Sequence, residues 1–404
     1  MTASTDGPTR PQAIAGTVSV VGVGDTDYAE DWRRARAGEP CPDSYGHAQL
    51  AFTRALRDAG VVKADVDGLV VGPTLAYERT AEVLGLDVRW SAQADAAMSV
   101  VQAAAAIVTG QADCVALVYG NDQRTAGVQY GGREAMGGGA FLSYVYYAPW
   151  GFTSQGALYA MVTRRYLGTS GLTATALGEV AVAQRMSSTL NPNAVMRRTI
   201  DIEDYLASRF IVEPLRLLDY TIVNDGGVAL ILMSAERARR HNPGRAVTIR
   251  GTGRADLNTD ATSLRPRIVD FYHSAHARAA DTLYAVAGCG PEDIDTLQVY
   301  DSFSCHVPLA LTGFGFTTDA DVGAFLESGA IRPGGRLPVN TSGGHLSESY
   351  MQGWNHQVEA VRQARGEGGD RQVEGARLVQ YVSDVAGKVV SIVYEGASTS
   401  RRAS

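Results

Sequence analysis

Cysteine is scarce in this sequence of 404 residues, which contains only Cys41, Cys114, Cys289 and Cys305 and no Cys-x-x-Cys pair. Four cysteines are too few for a disulfide-stapled scaffold, and the spacing typical of a zinc finger is missing. No apolar stretch approaches the roughly 20 residues that a membrane-spanning helix needs. Residues 1–12 are polar and lack the apolar core of a signal peptide. These absences predict a protein of the reducing cytoplasm that does not enter a membrane.

Positive charge is also limited, because 36 Lys and Arg residues stand against 43 Asp and Glu residues and the net charge is -7. This balance argues against nucleic acid as the main partner. The chain is 45% hydrophobic and 20% charged, which excludes a mainly disordered, collagen-like or coiled-coil protein. The pairs Gly22-x-Gly24 and Gly251-x-Gly253 lack the third glycine of a dinucleotide-binding motif, so a Rossmann-type oxidoreductase is excluded as well.

An internal repeat organises the chain. Val18–Gly24 and Val247–Gly253 each read as an apolar strand that ends in a glycine turn. A helical pattern follows each strand and stops at a glycine, at Ala51–Gly60 and at Ala279–Gly288, because glycine adopts the left-handed conformation of a helix end most easily. Further matched segments follow in the same order: strands after Asp65 and Asp293, helices at 99–110 and 351–366, and strands at 112–119 with 376–382 and 227–233 with 388–394. The repeat predicts two α/β halves with mostly parallel sheets.

The two halves differ in their insertions, which set the predicted domain boundaries. Residues 121–220 form a lid-like insertion in the first half, and residues 317–340 add a loop to the second half. Each half has one helix too apolar for solvent, so these two helices are expected to pack between the sheets. The predicted segments are a flexible N-terminus at 1–16, a first half at 17–240, a second half at 241–396 and a flexible tail at 397–404.

The active site is expected where strand ends and the first turns of the two central helices converge. The loops Ser91–Ala97 and Asn340–Tyr350 precede these helices, whose first backbone N–H groups are unpaired and carry partial positive charge. Such groups can stabilise an oxyanion or an enolate. Gly343 and Gly344 allow a ligand to approach the backbone closely.

Four short motifs carry a resemblance to a known family: Val299–Ser304, Asn340–Gly344, Asn224–Gly227 and Glu213–Arg216. With these motifs and the repeat, which runs from residue 18 to residue 394, the chain resembles the thiolase superfamily. Within it, the sequence is similar to the sterol-carrier-type thiolases and their lipid-transfer-protein relatives. The resemblance implies a layered αβαβα fold made of two repeated α/β halves, with the large insertion in the first half.

The chain departs from this family at the catalytic positions. The nucleophilic cysteine of such a thiolase falls at about Gln93, but neither the loop around it nor the turn at 383–388 contains a cysteine. Tyr300 stands before Asp301 where the family has histidine, and Tyr350 stands in Ser-Tyr-Met where the family has Gly-His-Pro. Without a thiol no acyl-enzyme can form, so thiolytic cleavage is not expected. What remains is a site for a CoA-thioester enolate with two hydroxyl side chains.

Tyr300 and Tyr350 are therefore predicted to carry out a retro-aldol cleavage of a β-hydroxyacyl-CoA. One group removes the β-hydroxyl proton, the Cα–Cβ bond breaks to give a carbonyl compound and an enolate, and a second group protonates the enolate carbon. A tyrosine has a reference pKa of about 10 and needs help to act as a base. The sequence leaves open whether Asp301 or Glu348 provides it. The predicted oxyanion and substrate-binding residues are Gly343, Gly344, Asn340, His345, Asp301 and Gln93.

The pattern is similar to that of the steroid side-chain-cleaving aldolases of actinobacteria, which are thiolase-superfamily proteins with paired tyrosines. That resemblance implies a steroid 17-hydroxy acyl-CoA substrate and its cleavage to a 17-ketosteroid and propionyl-CoA. It also implies a homodimer formed through the first-half sheet and a zinc-ribbon/OB-fold partner protein. No cofactor bound by this chain is expected, since CoA is part of the substrate.

Other candidates and alternatives remain. Cys305 and His306 are adjacent, and adjacent side chains point apart, so a structural cysteine is expected instead of a nucleophile–base pair. His273 and His276 lack a third ligand, so no metal site is predicted. Five arginines of the insertion are candidates for CoA phosphates or for a solvated face: Arg133, Arg164, Arg165, Arg197 and Arg198. The alternative functions are a thiolase or acyltransferase that recruits Cys305 or another thiol, and a non-catalytic acyl-CoA or lipid-binding protein.

Overall fold

The computed structural model describes residues 13–128, 154–256, 273–385 and 388–397, in which strands and helices alternate along the chain. The strands are β1 (Val18–Asp25), β2 (Gly68–Val71), β3 (Trp90–Gln93), β4 (Cys114–Asn121), β5 (Phe210–Val212), β6 (Leu215–Arg216), β7 (Gly226–Ser234), β8 (Val247–Asp256), β9 (Thr296–Val299), β10 (Leu378–Val385) and β11 (Lys388–Glu395). The helices are α1 (Tyr28–Ala37), α2 (Ser44–Ala59), α3 (Tyr77–Leu84), α4 (Ala96–Val108), α5 (Gln155–Thr169), α6 (Ala174–Thr189), α7 (Ile202–Ala207), α8 (Ala235–His241), α9 (His273–Ala287), α10 (His306–Gly313), α11 (Val322–Glu327), α12 (Gly344–Ser347) and α13 (Trp354–Arg365). In the described part of the chain, no helix combines the length and the apolar character needed to cross a bilayer.

The repeat appears in the strand order. A nine-stranded sheet runs β3-β2-β4-β7-β1-β8-β11-β10-β9, and the two halves join where Ser19 and Val20 of β1 pair antiparallel with β8. In the first half β2 is parallel to β4, while β4–β7 and β7–β1 are antiparallel. The second half repeats this pattern with β9, β10, β11 and β8. In the first half, β3 pairs with β2 at the outer edge of the sheet. At the equivalent edge of the second half there is a single parallel bridge between Leu297 of β9 and Val339.

The halves are layered around their two central helices. Val100 of α4 and Val358 of α13 lie in one buried cluster with side chains from both halves of the sheet. Helix α2 covers the other face of the first-half sheet, where Phe52 lies in a buried cluster with strand residues of that half. Helix α9 covers the other face of the second-half sheet, where Leu283 lies in the corresponding cluster. The layered αβαβα fold that the sequence implied is confirmed.

Two glycines that the sequence placed in turns lie inside strands. Gly24 belongs to β1 and Gly253 to β8. A Cβ atom on Gly24 would lie 2.3 Å from the carbonyl oxygen of Ala51 in α2, and one on Gly253 would lie 2.1 Å from that of Ala279 in α9. The prediction of a glycine turn was wrong, because these glycines instead allow a helix backbone to contact the sheet.

The insertion of the first half packs against the second half. Tyr159 and Val162 of α5 lie in one buried cluster with Phe303 and Val307, which follow β9. The segment 317–340, predicted as a loop, contains α11, which packs against α6. Trp150 and Phe152, two aromatic residues of the insertion that are candidates to line the binding site of a flat apolar ligand, lie outside the described residues. The insertion thereby reaches the end of β9, and the domain boundaries remain a prediction.

Candidate active site

The two tyrosines singled out in the sequence meet at the centre of the candidate site. Tyr300 is the first residue after β9, and its backbone N–H donates to the carbonyl oxygen of Val382 in β10 at 2.8 Å. Tyr350 lies in the loop before α13. The two phenolic oxygens are 3.1 Å apart, and either can be the hydrogen-bond donor. Each tyrosine is 8% exposed, so the pair is nearly buried and still borders an accessible space.

Burial sets the protonation of this pair. It raises the pKa of Tyr300 well above its usual range, and the neighbouring Tyr350 raises that pKa further. Burial also raises the pKa of Tyr350, but hydrogen bonds with Tyr300 and Gln352 lower it in part. Both phenols are therefore protonated at neutral pH. Gln352 reaches Tyr350 from a backbone with φ of 48°, a conformation uncommon for a residue with a Cβ atom.

His345 lies against both phenol rings, with its ring centroid 4.9 Å from each. Its Nε2 accepts the backbone N–H of Gly353 at 2.9 Å. Burial and the neighbouring His356 hold the pKa of His345 well below its usual range. The imidazole is therefore neutral, and the hydrogen bond from Gly353 assigns its proton to Nδ1. The structure brings His345 to the tyrosines as a packing partner whose Nε2 is engaged with the backbone.

Asp301 ties the loops of the site together. Its Oδ1 accepts hydrogen bonds from the backbone N–H of His345 at 2.9 Å and from Nε2 of His356 at 2.8 Å. Its Oδ2 accepts the backbone N–H of Leu346 at 3.3 Å. These contacts engage the carboxylate at the start of α12, so Asp301 fixes the loop geometry instead of serving as the partner of a phenol.

Glu348, the other candidate relay, is held in a separate polar network. Burial and the nearby Glu359 raise its pKa to about 7. Its Oε1 accepts a hydrogen bond from Asn191 at 2.9 Å, and its Oε2 accepts hydrogen bonds from Ser342 and Asn355, each at 2.8 Å. Glu348 therefore also acts on the loop and not directly on the tyrosine pair.

Asn340 and the glycines after it shape the loop. The side chain of Asn340 pairs with the backbone of Val299: Oδ1 accepts its N–H at 2.7 Å, and Nδ2 donates to its carbonyl oxygen at 3.0 Å. Gly343 and Gly344 have φ of 107° and 58°, values that favour glycine. A Cβ atom on Gly344 would lie 2.5 Å from Oδ2 of Asp301. Space and backbone conformation therefore both require glycine at position 344.

Gln93 lies at the end of β3, where it is exposed. Its side-chain amide donates to the carbonyl oxygen of Leu75 at 2.8 Å. The loop predicted at 91–97 is shorter, because β3 continues to Gln93 and α4 begins at Ala96, with Asp95 as its N-cap. The side chain of Gln93 therefore contacts the loop after β2, and its role in substrate binding stays a prediction.

Among the described residues, one group has ligand atoms close enough to hold a metal ion. Atoms of Asp301, His345 and His356 lie within 4.8 Å of one another. The hydrogen bond between Asp301 and His356 and the proton on Nδ1 of His345 occupy these atoms, so the set fits a hydrogen-bonded cluster better than a cation site. Of the two histidines considered in the sequence, His276 is buried, and the side chain of His273 lies outside the described residues.

Sequence reasoning missed a buried serine–histidine–aspartate arrangement beside Tyr300. Oγ of Ser302 lies 3.0 Å from Nε2 of His306, and Nδ1 of His306 lies 3.7 Å from Oδ2 of Asp384. The ring centroid of His306 is 4.5 Å from that of Tyr159 in α5. The sequence contained part of the information needed to find this arrangement, because Ser302 belongs to the Tyr-Asp-Ser-Phe motif and His306 follows four residues later.

Cys305 does not have the character of a nucleophile. The side chain is 1% exposed, and burial raises the pKa of its thiol to about 12. A thiol needs to be ionised to attack a thioester efficiently. An acyltransferase that recruits Cys305 is therefore not supported by its surroundings.

Arg185 was also missed, although it is a candidate for anion binding. Its Nε donates to Oγ of Ser347 at 3.1 Å, and its Nη1 donates to the carbonyl oxygen of Arg198 at 3.3 Å. Burial lowers the pKa of Arg185, and no carboxylate in the described part of the chain offsets this effect. A half-buried guanidinium without a counter-ion, close to the loop that carries Tyr350, suits a phosphate ligand.

The five predicted arginines have different surroundings. Arg133 lies outside the described residues, and Arg164 forms an exposed ion pair with Glu213 at 2.6 Å. The other three border accessible surface: Arg165 is half-buried, and Arg197 and Arg198 are exposed.

Comparison with known proteins finds relatives over most of the chain. Residues 259–394 match the family described as "Thiolase C-terminal domain-like". A steroid side-chain-cleaving aldolase of Thermomonospora curvata is 33% identical over 369 residues, which cover 87% of this chain and 91% of that protein. The 17-hydroxy-3-oxo-4-pregnene-20-carboxyl-CoA lyase of Mycobacterium tuberculosis is 34% identical over 372 residues, which cover 87% of this chain and 92% of that protein.

The fold has a similar counterpart among solved structures. The Ltp2-ChsH2(DUF35) aldolase matches 96% of this chain and 100% of that chain, with a TM-score of 0.84 and 29% sequence identity. The similarity therefore spans both repeated halves.

Proposed function

The chain belongs to the steroid side-chain-cleaving aldolases of the thiolase superfamily, and on this premise we propose that its tyrosine pair cleaves a β-hydroxyacyl-CoA. The protein is a carbon–carbon lyase of the retro-aldol type. The observation that carries the proposed mechanism is the 3.1 Å separation of the phenolic oxygens of Tyr300 and Tyr350. It unites the two proton carriers that a retro-aldol reaction requires in one hydrogen-bonded unit.

In the proposed reaction, the β-hydroxyl group of the substrate gives its proton to Tyr350 while the proton of Tyr350 passes to Tyr300. The Cα–Cβ bond breaks, its electron pair forms the enolate of the thioester, and the β-carbon becomes the carbonyl carbon of a ketone. In the same concerted step, Tyr300 gives its own phenolic proton to the enolate carbon, so neither phenol carries two protons at any point. One proton thus moves from a substrate oxygen to a product carbon, and both phenols end protonated.

The proposed substrate is a steroid side-chain 17-hydroxy acyl-CoA, which yields a 17-ketosteroid and propionyl-CoA. The Mycobacterium tuberculosis relative acts, by its name, on a CoA thioester of this kind. Beside Tyr300, the ring centroid of Phe303 lies 4.9 Å from those of Tyr159 and Tyr220. Flat apolar rings can cover the face of a steroid. We assign the CoA phosphates to Arg185.

We further propose a homodimer that works with a zinc-ribbon/OB-fold partner in the cytoplasm. The solved neighbour is named as a pairing of Ltp2 with ChsH2(DUF35), which supports a partner protein. Among the described strands, β3 lies at an outer edge of the sheet, where backbone groups can pair with a second copy. The cysteines Cys41, Cys114, Cys289 and Cys305 are free, which suits a reducing compartment.

The test is turnover of a steroid 17-hydroxy-20-carboxyl-CoA, with and without the co-expressed partner. Release of ketosteroid and propionyl-CoA is followed by mass spectrometry in the wild type and in the Tyr300→Phe and Tyr350→Phe variants. We expect the wild type to release both products and each variant to lose at least about 100-fold in kcat, since general acid–base catalysis contributes about 100- to 10,000-fold.

Activity that survives both substitutions would remove the tyrosines from the mechanism. Tight binding of the acyl-CoA without any product, in the presence of the partner, would instead favour a carrier protein or a different β-hydroxyacyl-CoA substrate.

A further inference from the structure

The enolate oxygen needs a hydrogen-bond donor, and several of the groups expected to supply one are engaged elsewhere. The side chain of Asn340 binds the backbone of Val299. The backbone N–H groups of His345 and Leu346 donate to Asp301, and Nε2 of His345 is an acceptor. A thioester that becomes an enolate gains negative charge on its oxygen, and a positioned donor is the usual means of stabilising that charge.

Ser302 keeps a small exposed fraction that is similar to that of the tyrosine pair. In the segment after β9, Tyr300 is 8% exposed and Ser302 is 7% exposed, whereas Asp301 and Ser304 are at 0%. Tyr350 is likewise 8% exposed. Ser302 is also close to Tyr300, because Oγ of Ser302 contacts His306 and the ring centroid of His306 lies 6.0 Å from that of Tyr300.

A chain of contacts behind Ser302 orients its hydroxyl group. Nε2 of His306 lies 3.0 Å from Oγ of Ser302, and Nδ1 of His306 is at ion-pair distance, 3.7 Å, from Oδ2 of Asp384. The same Asp384 oxygen lies 3.4 Å from Nε2 of His276. With its ring proton on Nε2, His306 donates to Oγ of Ser302. The O–H of Ser302 is then free to donate toward the substrate.

Packed rings hold His306 in place. Its ring centroid lies 4.5 Å from that of Tyr159 and 6.2 Å from the stacked ring of Phe303. The edge contact with Tyr300 has a centroid separation of 6.0 Å, and His306 is fully buried. A ring enclosed in this way keeps its orientation, so the hydroxyl group of Ser302 is arranged before the substrate arrives.

We propose that Ser302 donates a hydrogen bond to the thioester oxygen and stabilises the enolate that forms when the Cα–Cβ bond breaks, with His306 positioning it. This inference rests on the proposed function, because it names the donor for the enolate of that reaction. Ser302 forms no covalent bond at any step. Because the hydrogen bond strengthens as charge develops, its loss lowers kcat by about 100- to 1000-fold and leaves KM nearly unchanged.

The test compares Ser302→Ala and Ser302→Thr with Ser304→Ala as the matched control, all in the full chain with its partner. Ser304 lies on the same segment and donates to Asp219. Ketone release gives kcat, and binding of a thioether analogue that lacks the thioester oxygen measures the site without this hydrogen bond. We expect Ser302→Ala to lower kcat about 100-fold or more, and Ser302→Thr to keep most of the activity. All three variants are expected to bind the thioether as the wild type does.

Ketone release by Ser302→Ala at the wild-type rate would overturn this inference and leave the proposed function intact. A wild type that releases no ketone would overturn the proposed function itself. Release of free CoA thiol that depends on Ser302 would make the serine a nucleophile and contradict the donor role. Equal loss of activity in the Ala and Thr variants, together with weaker thioether binding or a lower unfolding temperature, would assign Ser302 to structure alone.

Discussion

The proton chemistry of the site depends on the burial of its two phenols. Burial raises the pKa of both Tyr300 and Tyr350, so a mechanism that needs a free phenolate would begin from a rare state. A relay through the hydrogen bond between the phenols avoids this cost, because a proton arrives at one oxygen as another leaves it. The close contact of the two side chains is therefore as important to the mechanism as their identity.

Arg185 tests the location of the CoA phosphates. We expect Arg185→Met to raise the KM for the acyl-CoA about 10-fold or more and to leave kcat nearly unchanged, because a hydrogen bond to a charged group contributes about 1.5–3 kcal/mol. Steady-state kinetics with the acyl-CoA substrate measures both parameters. The matched control is Arg164→Met, which removes an exposed arginine that is paired with Glu213. Equal changes in KM for the two variants would place the phosphates elsewhere.

The sequence predicted the tyrosine pair but not the full set of residues around it. Tyr300 and Tyr350 could be predicted because each stands within a recognisable sequence motif. The pairing of Ser302 with His306 depends on how the chain turns into α10, and the approach of Asp384 comes from another strand. The amide of Asn340 was assigned to the oxyanion site, but it binds the backbone of Val299. Contacts between segments distant in sequence decide such roles, and a single sequence does not contain them.

At the scale of helices and strands, close contact between α2 and β1 depends on glycine. We expect Gly24→Ala to lower the free energy of unfolding by about 1–3 kcal/mol, the usual cost of overpacking, because the new Cβ atom would lie 2.3 Å from the carbonyl oxygen of Ala51. Urea unfolding measures the change. The control is Gly244→Ala, where a Cβ atom meets nothing within 4 Å. Similar losses in both variants would mean that α2 does not rest on Gly24.

The repeat was predictable at this scale because it is written in local patterns of apolar residues and glycine stops. Helix α4 begins at Ala96 instead of the predicted residue 99, and α13 begins at Trp354 instead of residue 351. The first turn of a helix is set by its cap: Asp95 accepts the backbone N–H of Met98 at 3.0 Å. The role of Gly24 was misread because the helix that requires it lies elsewhere in the chain.

At the scale of the whole molecule, three parts of the chain converge on one site. Tyr300 follows β9 of the second half, Tyr350 precedes the central helix α13, and Tyr159 comes from the insertion of the first half. The pairing of β1 with β8 joins the two halves, while α4 and α13 share a buried cluster between them. The site therefore depends on both halves, although the two tyrosines belong to the second.

The last prediction concerns assembly through the edge strand β3. The pairing of β3 with β2 continues to Ala94, whose backbone N–H donates to the carbonyl oxygen of Val71 at 3.0 Å. Because backbone groups alternate between the two edges of a strand, the N–H of Ala92 also faces β2 and that of Ser91 faces the outer edge. Proline at such an edge position removes an edge donor and leaves pairing with β2 intact. We expect Ser91→Pro to shift the protein from dimer to monomer in light scattering, while Ser91→Ala, which keeps the N–H, remains a dimer. An unchanged dimer in Ser91→Pro with a normal unfolding temperature would place the interface on another surface, and a monomeric wild type would exclude the homodimer.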